Sequence, residues 1–321
     1  MSNFWEKLPK PFFILAPMED VTDFAFRETV TTVLPRPHVF FTEFTSADAL
    51  DSKGREVALT KFKFSETQRP IVAQIWGSTP EKMFKAAQTV ASLNFDGVDI
   101  NMGCPERNVV KSGLGCALSD TPQLATEMIA AVKEGAPSLP LSVKTRLGNK
   151  TNISDTWIPF LLEQKLVALT IHGRIGKQMS EGLADWDEIG KAVQLKNDIS
   201  PETLIIGNGD VESVAEGIEK ADKYGLDGIM IGRGIFHNPW VFDPLSPVLQ
   251  RGKDEYVQVL LRHLQIFEDT WGDTKNFAIM KKFCKMYING FHGAGELRGK
   301  LMESKSCEEM RKLLITFDYH I

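Results

Sequence analysis

The stretch Thr203–Gly234, TLIIGNGDVESVAEGIEKADKYGLDGIMIGRG, reads as strand, helix and strand in succession. Thr203–Asp210 and Gly228–Gly234 are short apolar runs, rich in β-branched residues, that close on a glycine or a polar side chain. Glu212–Tyr224 between them repeats its apolar residues at helical spacing. Six similar runs lie upstream: Phe12–Met18, His38–Phe44, Ile71–Gly77, Gly97–Cys104, Leu141–Gly148 and Leu166–Gly173. Helical periodicity recurs in Pro80–Leu93 and Thr121–Glu134. There Ser78-Thr79 and Asp120-Thr121 read as N-caps, each followed by a proline in the first turn. Eight evenly spaced strand–helix units predict an α/β fold, a closed (β/α)8 TIM barrel, in preference to an open doubly wound sheet. Beyond Pro244 the pattern turns purely helical, over Tyr256–Thr270, Phe277–Ile288 and Cys307–Leu314. The expected division is therefore a barrel over residues 1–243 and a small all-helical domain over 244–321.

Composition narrows the function classes. Of 321 residues, 43% are hydrophobic and 25% charged, ordinary proportions for a globular enzyme. No apolar stretch approaches the ~20 residues a membrane span requires. Met1–Lys10 carries Glu6, Lys7 and Lys10 and lacks a signal-peptide core. Cys104, Cys116, Cys284 and Cys307 are too scattered for a disulfide framework or a zinc site, so a cytoplasmic setting without metal is expected. The net charge of −5 argues at first against nucleic acid, but it is unevenly spread. From Leu245 onward there are 12 basic and 10 acidic residues, against 25 and 32 before it. Thr274–Gly295 holds Lys275, Lys281, Lys282 and Lys285 and no acid at all. Phosphate binding answers to such local charge, so RNA is allowed, and placed there.

A barrel of this kind works at the C-terminal ends of its strands. Read in order, those ends give Met18, Glu43, Gln74, Asn101 with Cys104, Lys144 with Arg146, His172, Asn208 with Asp210, and Gly232 with Arg233. Nearly every strand finishes in a group able to bond a ligand. Gly207-Asn208-Gly209-Asp210 and Gly232-Arg233-Gly234 end the last two strands, the usual phosphate site of the fold. Their glycines let a phosphate approach backbone N–H groups, and Arg233 adds charge. Lys144 and Arg146, two residues apart, share a strand face. An inward lysine is costly unless it pairs with an anion, so Lys144 could hold a flavin edge. It could instead form a Schiff base with a carbonyl substrate. A snorkelling surface lysine is the least expected reading beside Leu141 and Val143. Cys104 sits where Asn101-Met102-Gly103-Cys104-Pro105 turns sharply, before Lys111-Ser112-Gly113-Leu114-Gly115. At a thiol pKa of ~8.5 it stays protonated near neutrality and can serve as an acid. Cys116 reads as packing within that glycine loop. His172 ends its strand without a second His or Cys at ligand spacing, which argues against a metal.

These residues resemble the tRNA-dihydrouridine synthases from Ala16 to about Leu314. The resemblance is carried by Ala16-Pro17-Met18, Val21-Thr22-Asp23, Phe26-Arg27, Asn101–Pro105, Val143-Lys144 with Arg146-Leu147-Gly148, and Ile171–Arg174. It continues through Ala184-Asp185-Trp186, Gly207–Asp210 and GIMIGRGIFHNPWVF at Gly228–Phe242. It implies FMN in the barrel mouth, NADPH as reductant and tRNA as substrate. Pro17, Met18, Gln74, Lys144, His172, Asn208, Gly209, Gly232 and Arg233 would hold the FMN, with Glu19 and Asp210 counted beside them. Asn101 would meet the target uridine, and Cys104 would protonate its C5 after hydride reaches C6. Arg146 and Arg174, with Lys281, Lys282 and Lys285 of the helical domain, would contact substrate. A monomer is the state the resemblance implies. Phe283, Tyr287 and Phe291 could face RNA, although core packing is the better expectation for each. Asp20 departs from the glycine usual after Ala-Pro-Met-x, Ile175 from a common threonine, and Gly-Leu-Gly-Cys from a smaller loop. Three other readings compete. An FMN barrel acting on a free pyrimidine, dihydroorotate dehydrogenase-like, would not need the helical appendix. A Schiff-base lyase on Lys144 would carry no flavin. A non-catalytic tRNA-binding protein would tolerate loss of Cys104.

Overall fold

The computed structural model describes residues 3–246 and 251–317. Nine parallel strand segments form its one sheet: β1 Phe12–Leu15, β2 Phe40–Phe41, β3 Thr45–Ser46, β4 Ile71–Trp76, β5 Gly97–Met102, β6 Leu141–Arg146, β7 Ala168–His172, β8 Leu204–Asn208 and β9 Gly228–Ile231. Each apolar run of the sequence holds a strand, and helices fill the intervals, as a right-handed β/α succession requires. The second stave is split: β2, inside the run His38–Phe44, and β3, just past its end, both pair with β4, while residues 42–44 between them belong to neither strand. Thr42 bridges that gap: its Oγ1 accepts the Gln74 N–H at 3.1 Å, where a regular ladder would supply a carbonyl. β9 pairs with β1, and Ile14 bridges to Val39 just before β2. The Leu15 N–H meets Val39 O at 3.2 Å there, so the eight staves form a nearly closed barrel.

Alternation along the strands divides the apolar residues into two groups. Phe12, Ile14, Phe41, Val72, Ala168, Ile206 and Met230 fill the barrel interior, with Trp5 of the 3₁₀ turn Phe4–Lys7 packed on Phe12. Their neighbours of opposite parity face the helices and join the larger outer core. Towards the strand C-termini the interior becomes polar. Gln74, Asp99 and Ser142 are register partners across β4, β5 and β6, and Asn101 pairs with Lys144 above them. Arg146, His172 and Asn208 form the next row across β6, β7 and β8. The barrel is thus apolar at its base and hydrogen-bonding at its mouth.

The helices show how far local signals carry. Thr79 caps Pro80–Ser92 by accepting the Lys82 N–H, whereas Thr121 occupies the cap position of Pro122–Gly135 without a side-chain bond. After the barrel come helix Lys253–Trp271, the 3₁₀ turn Phe277–Met280 running into helix Lys281–Tyr287, then Ala294–Glu303 and Cys307–Thr316. Ala294–Glu303 escapes the sequence reading because Gly295 and Gly299 dilute its pattern; only Ala294, Leu297 and Leu301 are buried. Phe283 and Tyr287 are buried, so both belong to the core rather than to a surface. Phe283 stacks on Phe26 of the first barrel helix, Phe24–Val33, with ring centroids 5.2 Å apart. The outer core therefore continues from the barrel into the C-terminal helices. Residues 247–250, just after the expected boundary at 243/244, lie outside the described residues, as do 1–2 and 318–321.

Candidate functional site at the barrel mouth

A cavity of about 340 Å³ opens where the interior turns polar. Pro17, Met18, Lys144, His172, Asn208, Gly209, Asp210, Gly232 and Arg233 line it, together with Arg146 and Arg174. Nine of the eleven expected cofactor residues thus share one wall. Gln74 is fully buried beneath it. Glu19 is turned away, its carboxylate paired with Lys61.

The strand ends are braced by the motifs around them. Thr22 Oγ1 accepts the Met18 N–H at 2.9 Å, which fixes the loop after β1. The Trp186 indole N–H donates to Gly209 O at 3.1 Å, and the Ala184 N–H to Asp210 at 2.8 Å, so Ala184-Asp185-Trp186 shapes the loop after β8. Gly209 has φ +130°, and a Cβ there would stand 2.5 Å from the Ala184 Cβ, so the turn requires glycine. A Cβ on Gly232 would meet nothing nearer than 3.5 Å, which leaves its backbone open to the cavity.

Lys144 donates to Asn208 Oδ1 at 3.1 Å, and Asn208 Nδ2 donates on to Met230 O at 2.8 Å. Burial, and then repulsion from Arg146, push the lysine down to about 8, against a pull from Asp99. His172 Nε2 lies 3.0 Å from Arg174 Nη1. Arginine can only donate, so Nε2 accepts and the proton of the neutral ring sits on Nδ1. Burial and the cations Lys144, Arg146, Arg174 and Arg233 hold the ring well below the usual imidazole range, hence neutral. Thr170, the register partner of Lys144, is fully buried, and its Oγ1 has no partner among the described residues.

The two arginines expected at the substrate are occupied within the protein. Arg174 is 2% exposed and bonds Asp210 at 2.6 Å and Gly182 O. Arg146 donates from Nε to Gly103 O at 2.8 Å and from Nη1 to Ile175 O at 3.1 Å. It therefore ties the Cys104 loop to the cavity wall. The Asn101 Oδ1 accepts the N–H groups of Gly103 at 3.0 Å and Cys104 at 2.9 Å. Cys116 N donates to Cys104 O at 3.0 Å, and Gly115, at φ +61°, passes so close that a Cβ would lie 2.4 Å from that oxygen. The Cys104 backbone is thus held on both sides. Burial raises its thiol above the ordinary range, so it is a protonated donor at neutral pH. Cys116 is buried, as the sequence reading expects, with its Sγ 3.4 Å from Asn149 Oδ1.

The helical lysines lie apart from the cavity. Lys282 pairs with Asp20 at 3.1 Å and Lys275 with Asp23 at 2.7 Å, both acids of the loop after β1. Lys281 donates to Met302 O at 2.7 Å, and Lys285 is exposed. Asp20, at φ +55°, occupies a left-handed position that explains why glycine would be usual there. Asp99 is the residue that sequence reasoning missed. Its parity with Asn101, the rule applied to Lys144 and Arg146, marks it as inward-facing.

The family described as dihydrouridine synthase matches residues 14–319. A protein of Staphylococcus epidermidis named probable tRNA-dihydrouridine synthase is 44% identical over 320 residues, covering 98% of this chain and 96% of its own length. Bacillus subtilis probable tRNA-dihydrouridine synthase 2 is 42% identical over 320 residues, covering 98% and 97%. Among solved structures, morphinone reductase in complex with tetrahydroNAD superposes with a TM-score of 0.51 at 11% identity, covering 75% of this chain and 87% of that one. At that identity the likeness concerns the fold.

Proposed function

The chain belongs to the dihydrouridine synthase family, and from that premise we propose that it reduces the C5=C6 bond of uridines in tRNA, with FMN in the mouth cavity and NADPH as reductant. One observation carries the reading: Lys144, His172, Asn208–Asp210 and Gly232–Arg233 converge on a single cavity, to whose wall Arg146 ties the Cys104 loop. The residues fit a phosphorylated, acceptor-rich group. Lys144, Arg146, Arg174 and Arg233 outnumber the lining acids Asp210 and Glu212, Gly232 leaves its backbone accessible, and the Thr170 hydroxyl lacks a partner in the Lys144 row.

FMN would supply the hydride for C6 of the uracil. Pro17, Met18, Lys144, His172, Asn208, Gly209, Gly232 and Arg233 would hold it, with Gln74 beneath. Lys144 would set a positive charge against the anionic side of the ring system, and the His172 Nδ1–H would offer a neutral donor. Cys104 would hold the proton destined for C5, and Asn101, pinned to the same loop, would orient the base. Arg146 and Arg174 would act by fixing loops instead of touching RNA. The helices after Pro244, with Lys281, Lys282 and Lys285, would grip a tRNA whose uridine has left its stack, at a cost of a few kcal/mol. No helix among the described residues is long and apolar enough to cross a membrane, and we place the enzyme in the cytoplasm.

Unmodified tRNA incubated with the protein, FMN and NADPH should gain two hydrogens on specific uridines, read by nucleoside mass spectrometry. A bound, reducible flavin that leaves tRNA unchanged while reducing a free pyrimidine would overturn the substrate; absence of flavin would overturn the chemistry. The Lys144 charge adds a pH signature. It is present below about 8 and lost above, so FMN affinity of the flavin-free protein should weaken as pH rises through that value. Lys144→Met should abolish that dependence. A titration flat through this range in the parent protein would remove the assigned role.

A further inference from the structure

We infer that Asp99 is a positioning residue: it anchors a directed hydrogen-bond relay through Gln74 and Asn101 that ends on the backbone of the Cys104 loop. The inference rests on the proposed role of Cys104 for its meaning, but on geometry alone for its existence. Asp99 lies on β5, two residues before Asn101, and is wholly buried. Gln74 on β4 and Ser142 on β6 are its register partners, so the three side chains share one row inside the barrel.

A carboxylate only accepts, and both of its oxygens are engaged. Oδ1 takes the Ser142 hydroxyl at 2.6 Å and Oδ2 the Gln74 Nε2 at 2.7 Å. Gln74 is thereby turned with its Oε1 outward, where it accepts Asn101 Nδ2 at 3.2 Å. Asn101 must then present Oδ1 to the opposite side, and there it accepts the N–H groups of Gly103 and Cys104. An amide reverses readily when its neighbours are amides, because each end can donate or accept. Here the backbone N–H groups demand an acceptor at the loop end, and Asp99 demands a donor at the other. Only one direction satisfies every member, and it is the one that clamps Cys104. Such a network is sound when complete and fragile when one member is lost.

Asn and Leu at position 99 separate the relay from its charge. In Asp99→Asn the amide oxygen can still face Gln74 while its NH₂ faces the Ser142 hydroxyl, which turns to accept; direction survives without charge. In Asp99→Leu, Gln74 loses its anchor. The readout is the rate at which iodoacetamide alkylates Cys104 in the purified flavin-bound protein, which needs no turnover. Asp99→Leu should accelerate alkylation at least about tenfold, the change in open population that one lost buried hydrogen bond produces. Asp99→Asn should return the rate to near that of the parent. Gln74→Leu, which cuts the relay one link on with Asp99 in place, should match Asp99→Leu and stands in for it should that variant not fold. A parent-like rate in either soluble leucine variant overturns the relay, and so does an Asp99→Asn rate as fast as Asp99→Leu. These rates are independent of tRNA, so their failure is distinguishable from failure of the proposed activity.

Discussion

Cys104→Ala should retain flavin and tRNA affinity yet reduce uridine about 10²- to 10⁴-fold more slowly, the usual worth of a positioned general acid. In the proposed reaction, hydride addition at C6 would leave an enolate whose C5 needs a proton from a group that is still protonated. Burial makes Cys104 such a group by raising its thiol above the ordinary range. The acid form is present at neutral pH and lost as pH rises through that raised value, so the rate should show an alkaline limit absent from the alanine variant. Position matters as much as protonation. Asn101, the Cys116 N–H and Arg146 on Gly103 hold the backbone of this one loop. Serine at 104 restores size and a donor but is a far weaker acid, so Cys104→Ser should recover little. Single-turnover reduction of unmodified tRNA, followed by mass spectrometry, checks this. Parent-like turnover in Cys104→Ala would end the acid role, and loss of flavin would make the residue structural.

The strand ends were legible because period-two alternation and the C-terminal rule act within a few residues of each other. Lys144 and Arg146 share a wall for the reason that parity alone predicts. What escaped depends on partners distant in sequence. Arg174 reads as a free cation until the loop after β7 folds over it and Asp210 arrives from β8. Lys275 and Lys282 stand in an acid-free segment, yet their acids come from about 250 residues upstream, at Asp23 and Asp20. A charge count along the chain cannot see such pairs. Thr121 looks like Thr79 in sequence, but only Thr79 turns its hydroxyl onto the helix. Asp99 was open to the parity rule; a carboxylate within an apolar run draws less attention than one at a strand end.

Those two lysine pairs join the same segments, and burial decides which of them matters. Lys282 and Asp20 are 47% and 52% exposed, so the pair competes with water and Lys282→Ala should cost no more than about 1 kcal/mol. Asp23 is 6% exposed and fully used. Its Oδ1 caps helix Phe24–Val33 through the Phe26 N–H at 2.9 Å, while Oδ2 accepts the Trp271 indole at 3.1 Å and Lys275 at 2.7 Å. Losing a cap alone costs about 1 kcal/mol. Asp23→Ala also strands the indole N–H of buried Trp271, about 1–3 kcal/mol more. Lys275, about one-fifth exposed, recovers some water and adds less. The expected total is about 3 kcal/mol, read as a lower denaturation midpoint. Asp23→Asn has one acceptor oxygen, so it keeps the cap only by turning its NH₂ towards the Trp271 indole and Lys275, both donors, and should recover little beyond the cap. Since Trp271 and Lys275 belong to the helical part and Asp23 to the barrel, tRNA affinity should suffer more than flavin retention. Equal midpoints for Asp23→Ala and Lys282→Ala would show that the buried carboxylate does not dock the helices, and that apolar contacts such as those of Phe26 with Phe283 and His263 do so.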